Sequence, residues 1–243
     1  LQARLVIKSP GMGPQTPILE KIREGKIALV SEIQFALDKI KKRPAVIIGV
    51  TGTNGKTTTT HLLGHILSIA GKKNVVAGNI GSPLAGLIDQ ITADTFLALE
   101  LSSYQLEDSE NLKLDCGLLM NVTPDHLAHH GGWDNYVAAK GRIFSFLAQG
   151  GCGIVNFEDK EAKNISISKA GHRFFFSSER VLKEGAWIEK GKIQVKLGAR
   201  YSVLGASLAP CPNLFGNHNL ENQMAASLAA LVAGVKLSEI EKA

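Results

Sequence analysis

The stretch GVTGTNGKTTTT (Gly49 to Thr60) joins two patterns that seldom adjoin by chance. Before it runs PAVIIGV, a short apolar segment; after it Leu62, Leu63, Ile66, Leu67 and Ala70 fall at helical spacing. A continuously apolar strand suits a parallel sheet covered on both faces. A glycine-rich turn leading into a helix puts free backbone N–H groups and the helix N-terminus where an anion can bind. A strict phosphate loop reads G-x-x-x-x-G-K-[ST]. Gly55, Lys56 and Thr57 obey it, but Val50 stands at the first glycine position, with Gly49 one place early. The local requirements are still met. Gly52 and Gly55 supply open φ/ψ space. Lys56 would meet the β/γ phosphates, and the Thr57 hydroxyl would reach Mg2+. Gly52, Thr53, Asn54, Gly55, Lys56, Thr57 and Thr58 are the candidate nucleotide loop.

The rest of the chain alternates strand and helix. Residues 3–8, 26–30, 44–50, 74–78, 95–101 and 116–122 read as strands; segments 16–25, 31–40, 82–91, 133–148 and 217–234 read as helices. Ser31 and Gln34 predict a capping box, and Ser82 a cap with Pro83 in the first turn. Past Gly150 the segments GIVNF, HRFFF, AWIEK, KIQVK and RYSVL predict an antiparallel extension. The fold class is α/β: a mostly parallel P-loop-type central sheet with flanking helices and a small antiparallel extension. With 243 residues, 44% hydrophobic and 20% charged, the chain can bury a sizeable core. A net charge of +5 suits anionic ligands, yet no basic stripe is interleaved with aromatics, so nucleic acid is not an expected partner. Cys116, Cys152 and Cys211 form no C-x-x-C pair and read as reduced thiols. No apolar run approaches the ~20 residues of a membrane helix, so membrane insertion is not expected.

TGTNGKTTT resembles the ATP loop of the Mur ligases and their folylpolyglutamate synthetase relatives, in which an early glycine is ordinary. The likeness continues in order through GNIGSPL (78–84), ELSSYQLE (100–107), NVTPDHLAHH (121–130), YVAAKGRIF (136–144) and GNHNLEN (216–222). The resemblance implies ATP-dependent amide formation through an acyl phosphate, with Mg2+ at two sites. It implies Lys56, His126 and Lys140 as catalytic residues, and Thr57, Glu100, His126 and Lys140 around metal, Lys140 as a carbamate. Carbamylation needs a neutral amine, hence a partly buried lysine. Asp125 would orient the second ring nitrogen of His126. The resemblance further implies Asn222, with Asn219, at adenine, and Ser9, Pro10, Gly11, Asn79 and Ser102 at the nucleotide-sugar substrate.

Within the family, SPG, GNIG and ELSSYQLE are most like members that add D-glutamate to UDP-N-acetylmuramoyl-L-alanine. The open alternatives are another Mur ligase, a folylpolyglutamate synthetase relative, or a nucleotide-binding module without ligase activity. Residues 1–43 are expected to be the end of a UDP-substrate domain and 44–243 the central ATP-binding domain. The amino-acid-binding domain is expected to be missing, leaving this piece inactive alone, and the protein to be monomeric and cytoplasmic. Two departures stand out. Ala128 and His129 replace an Asp-Arg pair expected after DHL, and Gly141 sits inside a helix, where it costs ~1 kcal/mol against Ala.

Overall fold

The computed structural model describes residues 3–10, 12–13, 16–167, 171–198 and 206–243. Gly11 and the strand expected at RYSVL (200–204) lie outside the described residues. Leu5–Lys8 (β1) and Ala28–Ser31 (β2), joined through Pro17–Glu24 (α1), pair in parallel as a separate two-stranded sheet. Ser31 ends β2 and caps Glu32–Lys39 (α2), its hydroxyl accepting from the Gln34 N–H at 3.0 Å. Only half of the expected capping box forms. The Gln34 amide instead accepts from the N–H groups of Glu110 and Asn111 and donates to Asp38, fastening α2 to a distant loop. Ile33 and Ala36 of α2 are fully buried in the same hydrophobic cluster as Leu97 and Leu99.

Val46–Thr51 (β3) leads through the glycine loop into Lys56–Ile69 (α3), followed by Asn74–Gly78 (β4), Phe96–Glu100 (β5), Ser103–Glu107 (α4) and Leu114–Leu119 (β6). Next come Leu127–His130 (α5), Trp133–Ser145 (α6), Leu147–Asn156 (β7), Lys160–Asn164 (α7), His172–Ser177 (β8), Gly185–Glu189 (β9), Lys192–Lys196 (β10) and Ala206–Leu208 (β11). Asn217–Val232 (α8) and Leu237–Ile240 (α9) follow. Among the described residues the main sheet has the order β11-β10-β9-β8-β7-β6-β3-β5-β4. Alternation along β3 shows why both faces are covered. Ile48 and Val50 pack under Leu63 and Leu67 of α3 and Met224 and Leu228 of α8, while Ile47 faces the layer containing Ile143 and Phe144 of α6. Two helical layers on a parallel sheet account for the apolar runs.

Three expectations are corrected. The antiparallel extension is present but smaller than expected: among the described residues it joins β9 to β10 and β10 to β11, while β7 and β8 continue the parallel sheet from β6 to β9. β7 reaches β8 by a crossover through α7. β9 starts beside the last residues of β8, with Gly185 opposite Phe175, so a short connection suffices. The segment expected as a helix after Ser82 is a 3-10 turn, Leu84–Gln90. Pro83 is its cap and has no N–H, and the Ala85 N–H is held by the Glu32 carboxylate. Helix α6 stops at Ser145 rather than Ala148, because Leu147 already pairs with Leu114 in the sheet.

Leu99 is fully buried on β5, near the middle of the apolar layer. Leu99→Ala is expected to lower unfolding free energy by about 2–5 kcal/mol. Val181→Ala, at a 67% exposed position, should change it by less than about 0.5 kcal/mol. Urea denaturation compares the two.

Candidate active site

The C-terminal edge of the parallel sheet gathers the loop after β3, the end of β5 and the segment after β6. β3 lies between β5 and β6, with Val50 opposite Glu100 and Thr51 opposite Leu119. Ligands of open α/β sheets bind at such an edge. Gly55 has φ +82° and caps α3; a Cβ there would lie 2.5 Å from the Asn222 Oδ1. Glycine is therefore required both by the left-handed turn and by space.

Side chains from outside the loop brace it. The Asn121 Oδ1 accepts from the N–H groups of Thr53 (3.1 Å) and Asn54 (2.8 Å), and its amide donates to the Asn54 carbonyl at 3.1 Å. The Thr53 hydroxyl lies 2.9 Å from the Tyr136 hydroxyl. Thr57 donates to the Glu100 Oε2 at 2.7 Å, and the Asn79 amide donates to its Oε1 at 3.0 Å. Glu100 is only 1% exposed, and the two side chains that donate to its carboxylate, Thr57 and Asn79, are both neutral. That donor set, an anionic oxygen beside a threonine hydroxyl at a phosphate-type loop, fits Mg2+.

Two lysines converge on the Gly52 carbonyl. Lys56 Nζ donates to it at 2.9 Å and to the Thr53 carbonyl at 2.8 Å; Lys140 Nζ donates to it at 2.7 Å. Lys140 is buried on α6, its ammonium 4.7 Å from the Tyr136 ring centroid. Burial, and then the charge of Lys56, pulls its pKa down from 10.5 to about 7, against a smaller upward pull from Asp125. Burial also lowers the Lys56 pKa, opposed by Glu100 and Asp125.

Lys56 and Lys140 line a cleft of about 300 Å³ together with Pro10, Asn79, Ser102 and His126, all six singled out in the sequence. Ser103, Tyr104, Asp125 and Tyr136 complete the lining. His126 adopts a left-handed backbone (φ 49°), uncommon for a residue with a side chain, and its Nε2 lies 3.3 Å from the Asp125 carboxylate. Ser102 caps α4 in a full capping box with Gln105. Ser9 is exposed and outside the cleft lining. Asn54 is exposed on the loop, Thr57 is exposed in the first turn of α3 and Thr58 is half-buried beside it. Asn219 and Asn222 lie behind the loop, not in this cleft. The Asn222 Oδ1 accepts from Thr59 at 3.2 Å, its amide donates to Asn219, and Asn219 donates to the Phe215 carbonyl. Asn121, Tyr104 and Tyr136 were not singled out in the sequence. For Asn121 the signal was its place directly after an apolar strand, beside TPDH.

His129 and His130 extend the site away from the loop. Tyr104 stacks on His130 with ring centroids 5.4 Å apart and meets His129 edge-on at 4.2 Å. Burial is the main cause that lowers both histidines, His130 to about 4, with His129 and Lys140 next in depressing His130. Both rings are therefore neutral at pH 7.

Residues 50–230 match the family model described as Mur ligase middle domain. The UDP-N-acetylmuramoylalanine–D-glutamate ligase of Desulfitobacterium hafniense (strain Y51) is 38% identical over 239 residues, 98% of this chain and 51% of that protein. The ligase of the same name from Elusimicrobium minutum is 40% identical over 253 residues, covering 100% of this chain and 54% of the relative. The chain thus spans about half the length of the curated relatives it matches. The crystal structure of MurF from Acinetobacter baumannii has a TM-score of 0.64 at 22% identity, over 86% of this chain and 47% of that one, and shares the fold.

Two outcomes follow from this geometry. Asn121→Ala should cost about 1 kcal/mol in urea denaturation, because the Asn54 N–H loses its acceptor. Between about pH 7 and 10.5 the unfolded chain holds a proton on Lys140 that the native one has released. Stability relative to Lys140→Met should therefore rise with pH across that window. A difference that stays flat with pH would show that Lys140 is not depressed.

Proposed function

The chain belongs to the Mur ligase family, and from that premise we propose that it is the ATP-binding part of a ligase that joins D-glutamate to UDP-N-acetylmuramoyl-L-alanine. The observation that carries this reading is the cleft at the sheet edge, where Lys56, Lys140, His126 and Asn79 converge beside the buried Glu100. The choice of D-glutamate rests on the names of the relatives. On the same reading residues 1–43 end a UDP-substrate domain and residues 44–243 are the central domain. The amino acid is then bound by a domain beyond this chain. The enzyme would work as a cytoplasmic monomer; no helix among the described residues is long and apolar enough to cross a membrane.

In the proposed reaction a carboxylate oxygen of the acceptor attacks the γ-phosphorus of ATP. The bond to the bridging oxygen breaks and ADP leaves. The amine of D-glutamate then attacks the acyl carbon and loses a proton, and phosphate departs as the amide forms. Lys56 holds the phosphates through its ammonium, in the place where it now holds the Gly52 and Thr53 carbonyls. The backbone N–H groups of Gly52, Gly55, Thr57 and Thr58 would surround the same charge, while Thr53 and Asn54, whose N–H groups Asn121 holds, shape the loop. Lys140, a substantial part of it neutral near pH 7, adds through nitrogen to CO2 and releases a proton, leaving a carbamate anion. Thr57, Glu100, His126 and that carbamate would hold Mg2+ in two sites, which neutralises phosphate charge. Asn222 and Asn219 would read adenine from behind the loop; Ser9, Pro10, Gly11, Asn79 and Ser102 would hold the nucleotide-sugar.

The test is ATP-dependent phosphate release by the full-length protein with UDP-N-acetylmuramoyl-L-alanine and, in turn, D-glutamate, L-glutamate, L-lysine and meso-diaminopimelate. Release with D-glutamate only, reduced roughly hundredfold or more by Lys56→Ala, is expected. Release with another amino acid would reassign the substrate. Nucleotide binding without release in any mixture would favour a binding module that lacks ligase chemistry.

A further inference from the structure

We propose that Glu107, His129 and His130 form a site for a divalent transition metal, Zn2+ foremost, that staples α4 to α5 beside the cleft. Glu107 is the last residue of α4, and both histidines belong to α5. The Glu107 Oε2 lies 3.7 Å from the His129 Nε2 and 3.5 Å from the His130 Nδ1, and all three atoms fall within 4.8 Å of one another. Ligand atoms about 2.0–2.1 Å from a tetrahedral Zn2+ are about 3.3 Å apart. The two carboxylate-to-imidazole spacings are thus already close to those of a bound site.

The second observation is that the two ring nitrogens have no other use. The His129 Nε2 and His130 Nδ1 are buried and make no hydrogen bond with the described residues. The His130 side chain is 0% exposed, and its other nitrogen lies 3.0 Å from the Ser103 hydroxyl. With the Nε2–H donating to Ser103, the Nδ1 lone pair faces the carboxylate, so acceptor meets acceptor. A cation between them removes that conflict. A hydrogen bond from the second nitrogen of a ligating histidine is also the usual support for a metal ligand. The Tyr104 ring, packed on both imidazoles, holds their planes. Two imidazoles and a carboxylate suit Zn2+, with a water as fourth ligand, rather than Mg2+, which takes oxygen ligands. Ala128 and His129 stand where the family resemblance leads one to expect an Asp-Arg pair. The staple would fix α5, and with it the His126 backbone that opens α5.

This proposal does not depend on the ligase reading, and its test does not use turnover. Metal-free protein is titrated with ZnCl2 by calorimetry in excess Mg2+, which occupies oxygen-rich sites. The expected result is one Zn2+ per chain, with affinity weakened at least about tenfold in His129→Ala and in Glu107→Gln. Lys56→Ala and Glu100→Gln should bind Zn2+ as the parent does. Zn2+ should raise the melting temperature of the parent and not of His129→Ala. Co2+ in place of Zn2+ should give the intense visible bands of a four-coordinate site, absent in both variants. Three results would overturn the proposal: no Zn2+ retained, affinity unchanged in both variants, or affinity lost with Glu100→Gln instead.

Discussion

The carbonyl oxygen of Gly52 accepts from two lysines, Lys56 at 2.9 Å and Lys140 at 2.7 Å. One comes from the first residue of α3, the other from the buried face of α6. The contact therefore fixes the loop, the helix behind it and the helix across the cleft in one arrangement. It also sets the electrostatics. Burial first, and then the Lys56 ammonium held on the same oxygen, pulls the Lys140 pKa down to about 7. Gly52 tolerates this crowding because it carries no side chain; a Cβ there would lie 2.8 Å from that of Met120.

Around that carbonyl the sheet supplies the remaining parts by register. β5, paired with β3, ends at Glu100, and β6 leads into Met120 and Asn121. Asn121 holds the loop N–H groups from one side, while Thr57 and Asn79 hold Glu100 from the other. Gly78 permits the Asn79 approach: its φ is +112°, and a Cβ there would strike the Glu100 carbonyl. Glu100 and Asn79 thus stand at strand ends, Lys56 at a helix start and Lys140 within the buried face of α6, where packing of the two apolar layers leaves little freedom.

Much of this was legible in the sequence because it is local. The β3–loop–α3 unit is one continuous pattern, and the cleft gathers Lys56, Asn79, Ser102, His126 and Lys140 from motifs that could be quoted in order. What escaped is non-local. The direction of β7 and β8 depends on which partner each strand finds, and alternation within a strand carries no such information. Asn121 and Tyr136 act only through a loop that folding brings to them. Cys116 and Cys152, distant in sequence, lie in neighbouring strands with their sulfurs 3.4 Å apart, both free. Gly141, costly on helix propensity alone, is explained by packing: a Cβ would press on Ile165 at 3.1 Å. The Ser31 box formed only half because Gln34 has better partners across the chain.

On the proposed reading the Gly52–Lys56–Glu100 edge binds a magnesium nucleoside triphosphate. Calorimetric titration of the protein with a non-hydrolysable ATP analogue and Mg2+ tests it most directly. The account predicts one nucleotide per chain, bound at least about tenfold more weakly in Lys56→Ala and no longer strengthened by Mg2+ in Glu100→Gln. Equal binding by the parent and both variants, or no binding by any of them, would contradict it.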